Sequence, residues 1–511
     1  MKNCLPLMIQ GTHSDAGKSA LVTALCRIFV QDGFKTAPFK SQNMALNSYI
    51  TVDGKEIGRA QGVQAEACRI DATTDMNPIL IKPSGVNHSQ IVVHGKPFRN
   101  MEAGEYRQDF FQEGLKLIRE SYERLASSYE RIIIEGAGSP AEVNLNDREL
   151  VNMRVAQIAD APVILVGDIE KGGVFASLVG TLQLLEAEDR KRVVGVIINK
   201  FRGDVTLLQP GLTWFEEYTG VPVLGVVPYI DNLFIEAEDS VVLSRYTSQK
   251  DSTKDLDIAV IRLPMISNFT DIDPFFEEED CHVRFVKSVD ELGDPDLVII
   301  PGSKNTIEDM QFLQNTGLAN RILNLVDQGV AVFGICGGYQ ILGEMISDPY
   351  GVESALQSMD GLGLIPMKTT MTQEKTTVRS EGIAYVGEEV IPVSGYEIHM
   401  GESLFEKECQ HLIHLSDRSE GFISSNHQII GTYFHGIFHN DSFREVILNE
   451  LRLKKGLEPI ENRVSFARKK EEGFDLLAQV VREHVQIERI YQMMTDYQEG
   501  ELDAVNFNMS K

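Results

Sequence analysis

A cysteine set between glycines is the clearest candidate for chemistry in this chain. The run VAVFGICGGYQILG at Val330–Gly343 carries Cys336 between Gly334 and Gly338. A strand that turns sharply into a helix needs glycine on both sides of the pivot, and the pivot side chain then stands beside backbone N–H groups that can hold an oxyanion. The pattern predicts that Cys336 is a nucleophile. The alternative is a buried structural cysteine, which is the commoner fate of this residue.

A thiol of this kind needs a base, which usually comes from a distant part of the chain. The segment IIGTYFH reads as a short strand that delivers His435 at its carboxyl end, where α/β proteins place their chemistry. The turn Pro301–Ser303 (PGS) offers a further backbone donor. We therefore predict that Cys336 and His435 form a catalytic pair. The N–H groups of Gly302 and Gly337 are expected to hold the oxyanion.

Together these segments resemble the class I glutamine amidotransferase domain. In that family the cysteine takes the side-chain acyl group of glutamine and releases ammonia. The family pattern has a glutamate two residues after the histidine, but this chain has Ile437 at that position. The third, orienting member of the triad is therefore open, with Glu397 in GYEIHMG and Asp441 as candidates.

A glycine-rich loop early in the chain is suited to bind phosphates. The loop GTHSDAGKS follows a short apolar strand and opens the helical segment SALVTALCRIFVQDG. Backbone N–H groups of such a loop curl around phosphates, Lys18 reaches the terminal phosphates, and the Ser19 hydroxyl can bind magnesium. Five residues separate the two glycines, where the standard P-loop has four. The predicted nucleotide-binding residues of the loop are Gly11, Asp15, Gly17, Lys18 and Ser19.

Polar residues end three later apolar strands. RIIIE ends on Glu135, VILVGD on Asp168, and VVGVIINK on Asn199 and Lys200. Because a doubly wound sheet gathers its ligand at the carboxyl ends of its strands, we expect these residues beside the loop. Glu135 is suited to hold Mg²⁺ with Ser19, since a hard cation prefers carboxylate oxygen. Asn199 can read a purine edge through its amide, and Lys200 is assigned to the same nucleotide site. A helix cap or a surface turn is the alternative for each residue taken alone.

The loop, the EGAGSP strand end and the NKFRGD segment look like the ATP-dependent amidoligases related to dethiobiotin synthetase. Joined to a cysteine amidotransferase domain, they point to the corrinoid amidotransferases. Within that group, PFKSQNMALNS, NPILIKPSG, EGAGSPAEVNL, GDIEKGGVFAS and GYEIHMG resemble the cobyric acid synthase family over nearly the whole chain. The resemblance implies a ligase that uses ATP, Mg²⁺ and glutamine in cobalamin biosynthesis. It would amidate the b, d, e and g side-chain carboxylates of adenosylcobyrinic acid a,c-diamide to give adenosylcobyric acid.

The chemistry of the motifs is consistent with such a ligase. A carboxylate is a poor electrophile, so ATP must first convert it to an acyl phosphate, which ammonia then attacks. The expected corrinoid-binding residues, all in motifs that carry the resemblance, are Lys40, Gln42, Asn43 and Lys82. Lys171 is a further candidate contact. For each lysine the alternative is a solvated surface charge.

Two other functions stay open. Cobyrinic acid a,c-diamide synthase has the same domain order and chemistry, although PFKSQNMALNS and EGAGSPAEVNL favour the first assignment. A P-loop regulatory or partitioning ATPase belongs to a different class. In this chain His13 stands where such proteins have a signature lysine, and they carry no domain with Cys336 and His435.

The composition is typical of a globular protein, since 43% of the 511 residues are hydrophobic and 24% are charged. A net charge of −27 argues against nucleic acid as a partner, because no basic tract offsets it. The first residues are too few for a signal peptide, and no apolar run reaches about 18 residues. We therefore expect a cytoplasmic protein with small-molecule substrates and no membrane partner. Six cysteines without CxxC spacing indicate neither zinc nor disulfides.

Apolar runs alternate with helical segments in both halves of the chain, which is typical of parallel sheets covered on both faces. The predicted fold class is α/β with two doubly wound domains, a P-loop domain at 1–245 and a class I amidotransferase-like domain at 256–450. The polar stretch Ser244–Asp255 marks the boundary. A helical tail at 451–511 carries an apolar stripe that is expected to pack on the body or on a partner subunit, and the oligomeric state is open. The main strands are expected at Leu5–Ile9, Arg131–Ile134, Pro162–Val166, Val193–Ile198, Val223–Val227, Asp257–Arg262, Leu297–Ile300 and Val330–Ile335.

Overall fold

The computed structural model describes residues 4–85, 88–230, 236, 248–251 and 253–501. The chain divides into two compact units. The first comprises Met1–Met44, Glu56–Ile235 and Lys470–Lys511, and the second comprises Ala45–Lys55 and Glu236–Lys469. Of the predicted boundary stretch, residues 244–247 and 252 lie outside the described part.

The first unit is built on a six-stranded sheet in which every neighbouring pair is parallel. Its strands run across the sheet in the order Val223–Pro228, Val193–Phe201, Val163–Asp168, Leu5–Gly11, Arg131–Glu135 and Thr36–Phe39. The interior of these strands is buried on both faces, which is why they read as continuous apolar runs. All carboxyl ends therefore lie at one edge, where the phosphate loop begins. The predicted α/β class is confirmed.

A smaller sheet and the helices complete the first unit. The smaller sheet contains Gln42–Met44, Ile79–Gly85, His88–Val93 and Lys96–Glu102, and a short strand lies at Glu56–Gly58. The α-helices are Lys18–Gln31, Arg59–Ala67, Ala103–Asp109, Phe111–Ser128, Met153–Ala159, Val174–Leu184, Ala187–Arg190, Val205–Thr219 and Ile487–Glu499. Short 3₁₀ helices lie at Thr74–Met76 and Asn146–Arg148.

The two last helices belong to the core of the first unit. Phe466–His484 starts in the second unit and continues into the first, followed by Ile487–Glu499. Their apolar stripe, from Phe474 to Met494, packs with residues of the strand Leu5–Gly11 and the helix Lys18–Gln31. The tail thus packs on the body of the protein, the first of the two predicted options. The predicted tail is divided between the units, since residues up to Lys469 belong to the second unit and the residues from Lys470 onward belong to the first.

The second unit contains a six-stranded sheet that is parallel except at one edge. Its strands lie in the order Cys281–Val286, Leu256–Ile261, Leu297–Ile300, Ala331–Ile335, Ile429–Thr432 and Phe422–Ile423. The α-helices are Val289–Leu292, Thr306–Asn315, Leu318–Asp327, Gly337–Leu342 and Asp441–Lys454. Short 3₁₀ helices lie at Phe269–Glu277 and Ile437–His439. This is the second doubly wound sheet that the sequence predicts.

A long hairpin accompanies this sheet. Its arms, Met367–Val386 and Glu389–Phe405, pair in antiparallel register and carry short strands at Met345–Ser347, Ser358–Asp360, Ile413–Leu415 and Ser419–Glu420. The segment Ala45–Lys55, which contains the strand Ser48–Ile50, also belongs to this unit. Sequence patterns assigned that segment to the first domain. No helix of the described part is long and apolar enough to cross a membrane.

Candidate active sites

The turn that carries Cys336 has the geometry of a nucleophile elbow. Cys336 lies at φ 52° and ψ −108°, a backbone conformation rarely adopted outside glycine, and it directly follows the strand Ala331–Ile335. A Cβ atom on Gly338 would overlap the carbonyl oxygen of Ile300, and one on Gly334 would come within 2.7 Å of the Gly338 oxygen. Glycine is therefore required on both sides of the pivot, as the sequence pattern predicts.

His435 is fully buried and held by an aspartate. Its Nδ1 lies 2.7 Å from Oδ2 of Asp271, and the backbone N–H of Gly436 donates to the other carboxylate oxygen at 2.6 Å. Burial alone lowers the pKa of His435, but the charge and hydrogen bond of Asp271, together with nearby Cys336, raise it to about 10. The Nε2 atom has no hydrogen-bond partner within the described residues. The structure thus assembles a Cys336–His435–Asp271 arrangement, with the charged imidazole favoured.

The two residues predicted as the third triad member have other partners. Oε1 of Glu397 accepts hydrogen bonds from Arg418 at 2.5 Å and from Ser380 at 3.1 Å. Asp441 accepts from Arg444 and from the backbone N–H of Phe466. Both expectations were wrong, because Asp271 occupies the place at Nδ1.

The predicted oxyanion turns lie close together. A Cβ atom on Gly337 would stand 2.8 Å from the Ser303 nitrogen, and one on Gly302 would stand 3.1 Å from Cε1 of His435. The Ser303 hydroxyl donates to Oδ2 of Asp309 at 2.6 Å, which holds the turn against the helix Thr306–Asn315. The geometry therefore brings Gly302 and Gly337 to the nucleophile and its base.

The hairpin arm Glu389–Phe405 lies beside the cysteine and the histidine. The ring of Tyr396 stacks on the imidazole of His435, with centroids 5.1 Å apart and an interplanar angle of 16°. The Cys336 thiol lies 3.6 Å from the Ile398 carbonyl oxygen. On the neighbouring helix, Gln340 donates to the Tyr433 hydroxyl at 3.2 Å. These contacts fix the positions of both reacting side chains from the hairpin side.

The glycine-rich loop of the first unit closes around Lys18. Its Nζ donates to the carbonyl oxygens of His13 at 3.1 Å and Gly138 at 3.2 Å. Gly17 has φ 95° and immediately precedes the helix Lys18–Gln31, so the loop reverses direction where that helix begins. Lys18 thus lies between the loop and the turn after Arg131–Glu135, as expected for a lysine that contacts terminal phosphates.

The carboxylate of Glu135 accepts hydrogen bonds from three side chains at this site. Its Oε1 accepts hydrogen bonds from the Ser19 hydroxyl at 2.9 Å and from Lys40 at 2.8 Å, and its Oε2 accepts from Gln64 at 2.5 Å. Glu135 is 1% exposed and Lys40 is 5% exposed. The predicted magnesium residues Ser19 and Glu135 are therefore adjacent, and Lys40 reaches the same carboxylate.

The donor set fits magnesium. A serine hydroxyl and one carboxylate are hard oxygen donors, and this ion usually keeps several waters and phosphate oxygens besides one or two protein ligands. Among the described residues no group of three or more His, Cys, Asp or Glu side chains forms an all-protein metal cage. A magnesium ion here would share Glu135 with the Lys40 ammonium group.

Two further predicted nucleotide-binding residues, Asn199 and Lys200, contact the backbone of the loop. Lys200 donates to Oδ2 of Asp168 at 2.8 Å and to the Asp15 carbonyl oxygen at 2.5 Å. Burial raises the pKa of Asp168, but Lys200 outweighs it and the pKa is lowered. The Asn199 amide donates to the Ala16 carbonyl oxygen at 3.0 Å, so it supports the loop backbone. Its predicted contact with a purine stays a prediction.

The predicted corrinoid-binding residues are mostly buried in polar contacts. Lys82, 4% exposed, forms an ion pair with Glu56 at 2.5 Å. The Asn43 amide donates to Gln61 at 3.2 Å, and Tyr106 donates to Gln42 at 2.5 Å. Lys40 and Lys82 are therefore not solvated surface charges.

Two elements of these sites escaped sequence analysis. Asp271 lies 164 positions before its histidine. It does follow the strand Leu256–Ile261, whose carboxyl end faces the same sheet edge as Cys336 and His435. The end of this strand is therefore the sequence feature that could have identified Asp271. Gln64, the partner of Glu135, lies in the helix Arg59–Ala67, and Glu56, the partner of Lys82, lies in the strand Glu56–Gly58 just before it. Nothing in the sequence pattern distinguishes these two residues from other polar residues.

We expect Asp309→Asn to weaken the pH dependence of stability in the second unit. Burial raises the pKa of Asp309 from its ordinary 3.8 to about 7, although hydrogen bonds from Ser303 and Met265 lower it. Since the folded pKa is raised, the stabilising contribution of this carboxyl is complete below about pH 4 and is lost as the pH rises through 7. The variant should remove a pH-dependent contribution on the order of 2–4 kcal/mol.

Hydrogen exchange of the strand Leu297–Ile300, corrected for its intrinsic pH dependence, measures this effect at pH 5 and pH 8. Trp214, the chain's single tryptophan, lies in the first unit and cannot report on the second by fluorescence. Asp327→Asn, which alters an exposed carboxylate at the end of the helix Leu318–Asp327 in the same unit, is the matched control. An Asp309→Asn protein with the full wild-type pH dependence would contradict the assignment.

Sequence models of two protein families match the chain. Residues 7–242 match the CobQ/CobB/MinD/ParA nucleotide binding domain, and residues 257–443 match the CobB/CobQ-like glutamine amidotransferase domain. The first match contains the phosphate loop, and the second contains Cys336, His435 and Asp271.

Curated relatives match over nearly their full length. The cobyric acid synthase of Geobacillus sp. (strain WCH70) is 61% identical over 499 residues, which cover 98% of this chain and 99% of that protein. That of Streptococcus sanguinis (strain SK36) is 50% identical over 496 residues, covering 96% and 98%. That of Photorhabdus laumondii subsp. laumondii is 48% identical over 512 residues, covering 97% and 99%. With both domains matched and such identity along the whole length, the chain belongs to the cobyric acid synthase family.

Proposed function

We propose that the protein amidates the b, d, e and g side-chain carboxylates of adenosylcobyrinic acid a,c-diamide, using ATP and glutamine, and so forms adenosylcobyric acid in cobalamin biosynthesis. One observation supports this proposal above the others. A complete cysteine–histidine–aspartate arrangement and a P-loop lysine with a buried glutamate occur in one chain, which is what nitrogen supply and carboxylate activation together require.

Glutamine hydrolysis is assigned to the second unit. The Cys336 sulfur attacks the side-chain amide carbon of glutamine, and the oxyanion is held by the N–H groups of Gly302 and Gly337. His435 carries the proton that ammonia needs on leaving, because its pKa of about 10 keeps the imidazole charged at neutral pH. Water then attacks the thioester, its proton passes to His435, and glutamate leaves with Cys336 restored.

Carboxylate activation is assigned to the first unit. The phosphate loop, with Gly11, Asp15, Gly17 and Lys18, would bind ATP, and Lys18 would follow the γ-phosphoryl group to the substrate carboxylate. Ammonia then attacks the acyl phosphate and displaces phosphate. Ser19 and Glu135 would hold Mg²⁺, which supplies neutralisation of phosphate charge.

Substrate binding follows from the buried cations near this site. A corrinoid that still carries four carboxylates must approach a chain of net charge −27, so local positive charge is needed. Lys40 and Lys82 are proposed to contact the corrinoid carboxylates in exchange for their present partners, Glu135 and Glu56. Gln42 and Asn43 lie between the two lysines along the chain. Asn199 and Lys200 are proposed to contact the nucleotide. Lys171, which is exposed, would contact an outer carboxylate.

The test is a comparison of corrinoid substrates. Purified protein with Mg²⁺, ATP and glutamine is given the a,c-diamide, cobyrinic acid, or no corrinoid, and phosphate release and corrinoid mass are followed. We expect four amidations and four phosphates per a,c-diamide. Preferred use of cobyrinic acid with two amidations would identify the protein as an a,c-diamide synthase. Phosphate release without any change in corrinoid mass would identify a P-loop ATPase of another kind.

Asp271→Asn is expected to reduce glutamine hydrolysis by about 10²- to 10⁴-fold while leaving ammonia-dependent amidation intact. The amide cannot stabilise the charged imidazole and it favours the wrong tautomer of His435. Initial rates of glutamate release measure the effect, and Glu279→Gln, at an exposed carboxylate just after the same 3₁₀ helix, is the control. A hydrolysis rate equal to wild type would exclude Asp271 from the triad.

A further inference from the structure

We propose that the segment Ala45–Lys55 is a positioning element for glutamine hydrolysis, acting through Ser48 and Ile50 on the residues that hold Cys336, His435 and Asp271. The inference rests on the proposed function and adds a role that the chemistry of the motifs does not assign. This segment, called here the strap, packs within the second unit.

The first contact of the strap is to the loop that carries Asp271. The backbone N–H of Ser48 donates to Oδ1 of Asn268 at 2.8 Å, and both residues are buried. Asn268 lies at φ 52° immediately before the 3₁₀ helix Phe269–Glu277. That helix places Asp271 against His435 in its first turn. The strap therefore fixes the residue at which the chain turns toward the triad carboxylate.

The second contact is to the hairpin arm over the histidine. Ile50, Tyr396 and Ile398 form a buried hydrophobic cluster. Tyr396 stacks on the ring of His435, and the two residues exchange backbone hydrogen bonds of 3.1 and 2.8 Å. The carbonyl oxygen of Ile398 lies 3.6 Å from the Cys336 sulfur. Ile50 thus packs against Tyr396 and Ile398, the two hairpin residues that contact His435 and Cys336.

Further contacts hold the strap in place. Arg379 donates to the Ile50 carbonyl oxygen at 2.7 Å and lies over the Tyr49 ring at 5.2 Å. Beyond the strand, the Thr51 hydroxyl donates to Asp53 at 2.5 Å and accepts from the Lys55 backbone N–H at 3.0 Å, which closes a tight turn. Ile50 is therefore held on one side by Arg379 and is followed directly by a closed turn.

Both ends of the strap continue directly into residues proposed for ligation. The chain enters from Lys40, which contacts Glu135, and from the motif residues Gln42 and Asn43. It leaves at Glu56, the ion-pair partner of Lys82. Along the chain, the strap therefore lies between residues assigned to the ligation site.

The test separates positioning from folding by a graded pair of substitutions. Ile50→Ala should lower kcat for glutamine hydrolysis by about 3- to 30-fold, with KM for glutamine nearly unchanged, because the reacting groups and not the binding contacts lose support. Ile50→Val should restore most of the rate. Val52→Ala, at a residue of the same strap that is 61% exposed, should match wild type. Each rate is measured as initial glutamate release.

A second pair tests the Ser48 contact. Asn268→Gly tolerates the φ of 52° but removes the acceptor, whereas Asn268→Asp keeps an acceptor there. We expect the glycine variant to lose hydrolysis rate and the aspartate variant to retain it. Ile50→Ala and Asn268→Gly proteins that both hydrolyse glutamine at the wild-type rate would overturn the proposal.

Ammonia-dependent amidation of the a,c-diamide is the internal control in every case. It should be unaffected by these variants, and its persistence shows a folded first unit. If wild type neither hydrolyses glutamine nor amidates the corrinoid, the proposed function fails. If wild type does both and the graded effect is missing, only the role of the strap fails.

Discussion

Replacing Cys336 by alanine is expected to abolish glutamine-dependent amidation and to leave amidation with ammonium salts at raised pH. The cysteine serves only the release of ammonia, whereas activation of the carboxylate depends on the phosphate loop. Removal of a nucleophile from a catalytic triad costs on the order of 10⁴-fold or more in kcat. Glutamate release and corrinoid mass, measured with glutamine and separately with ammonium chloride, give the two rates.

The matched control is Cys409→Ala, at a partly exposed cysteine of the same unit. It should behave as wild type with both nitrogen sources. A folded Cys336→Ala protein that loses both reactions would mean that the cysteine takes part in ligation. Unchanged glutamine hydrolysis would place the nucleophile elsewhere.

Lys18→Ala should remove amidation with either nitrogen source while glutamine hydrolysis persists. Lys18 is 7% exposed and is oriented by the carbonyl oxygens of His13 and Gly138, so no other side chain of the loop can replace its charge at the phosphates. Loss of one such fixed charge is worth at least about 10²- to 10³-fold in rate. Phosphate release in the presence of the a,c-diamide and saturating ammonium measures it directly.

Lys116→Ala, which removes a lysine whose side chain is 75% exposed, is the control for a change of charge alone. Its amidation rate should equal wild type. Lys18→Ala activity above one tenth of wild type at saturating ATP would show that the loop binds phosphate without this lysine and would refute the role assigned to it.

The central strands of both sheets could be predicted from sequence because a strand buried on both faces must be apolar along its length. The edge strand Thr36–Phe39 was missed, since TAPF is short and contains a proline. The hairpin Met367–Val386 with Glu389–Phe405 was also missed. Many of its residues are exposed or half-buried, so they lack the continuous apolar run on which the prediction relied.

The candidate sites show the same limit. Cys336, Lys18 and Ser19 could be found because their function requires a local backbone shape, and glycine spacing records that shape. Asp271 requires no special backbone in its own neighbourhood, since it acts only by meeting His435 across the fold. Glu397 and Asp441 were the candidates instead, and the structure uses them to bind Arg418 and Arg444.

Division into units was the least predictable property. The strap Ala45–Lys55 lies between two motifs of the first unit, and its apolar residues do not record which core they join. The last helices show the same ambiguity, because an amphipathic stripe specifies that a face is covered but not by what.

The chain returns to its first unit only at Lys470, so the residues that complete this unit are synthesised last. Arg27 is fully buried, and its guanidinium is paired with Glu471 and Asp475, which the ribosome adds only after the whole of the second unit. Until those residues are made, Arg27 lacks both of its carboxylate partners, and the core it borders lacks Phe474 and Leu477. The hydrophobic core of the first unit therefore cannot be completed until the last helices are synthesised. All residues of the second unit are present before then. The unit whose synthesis begins first is thus the one whose native contacts can be completed last.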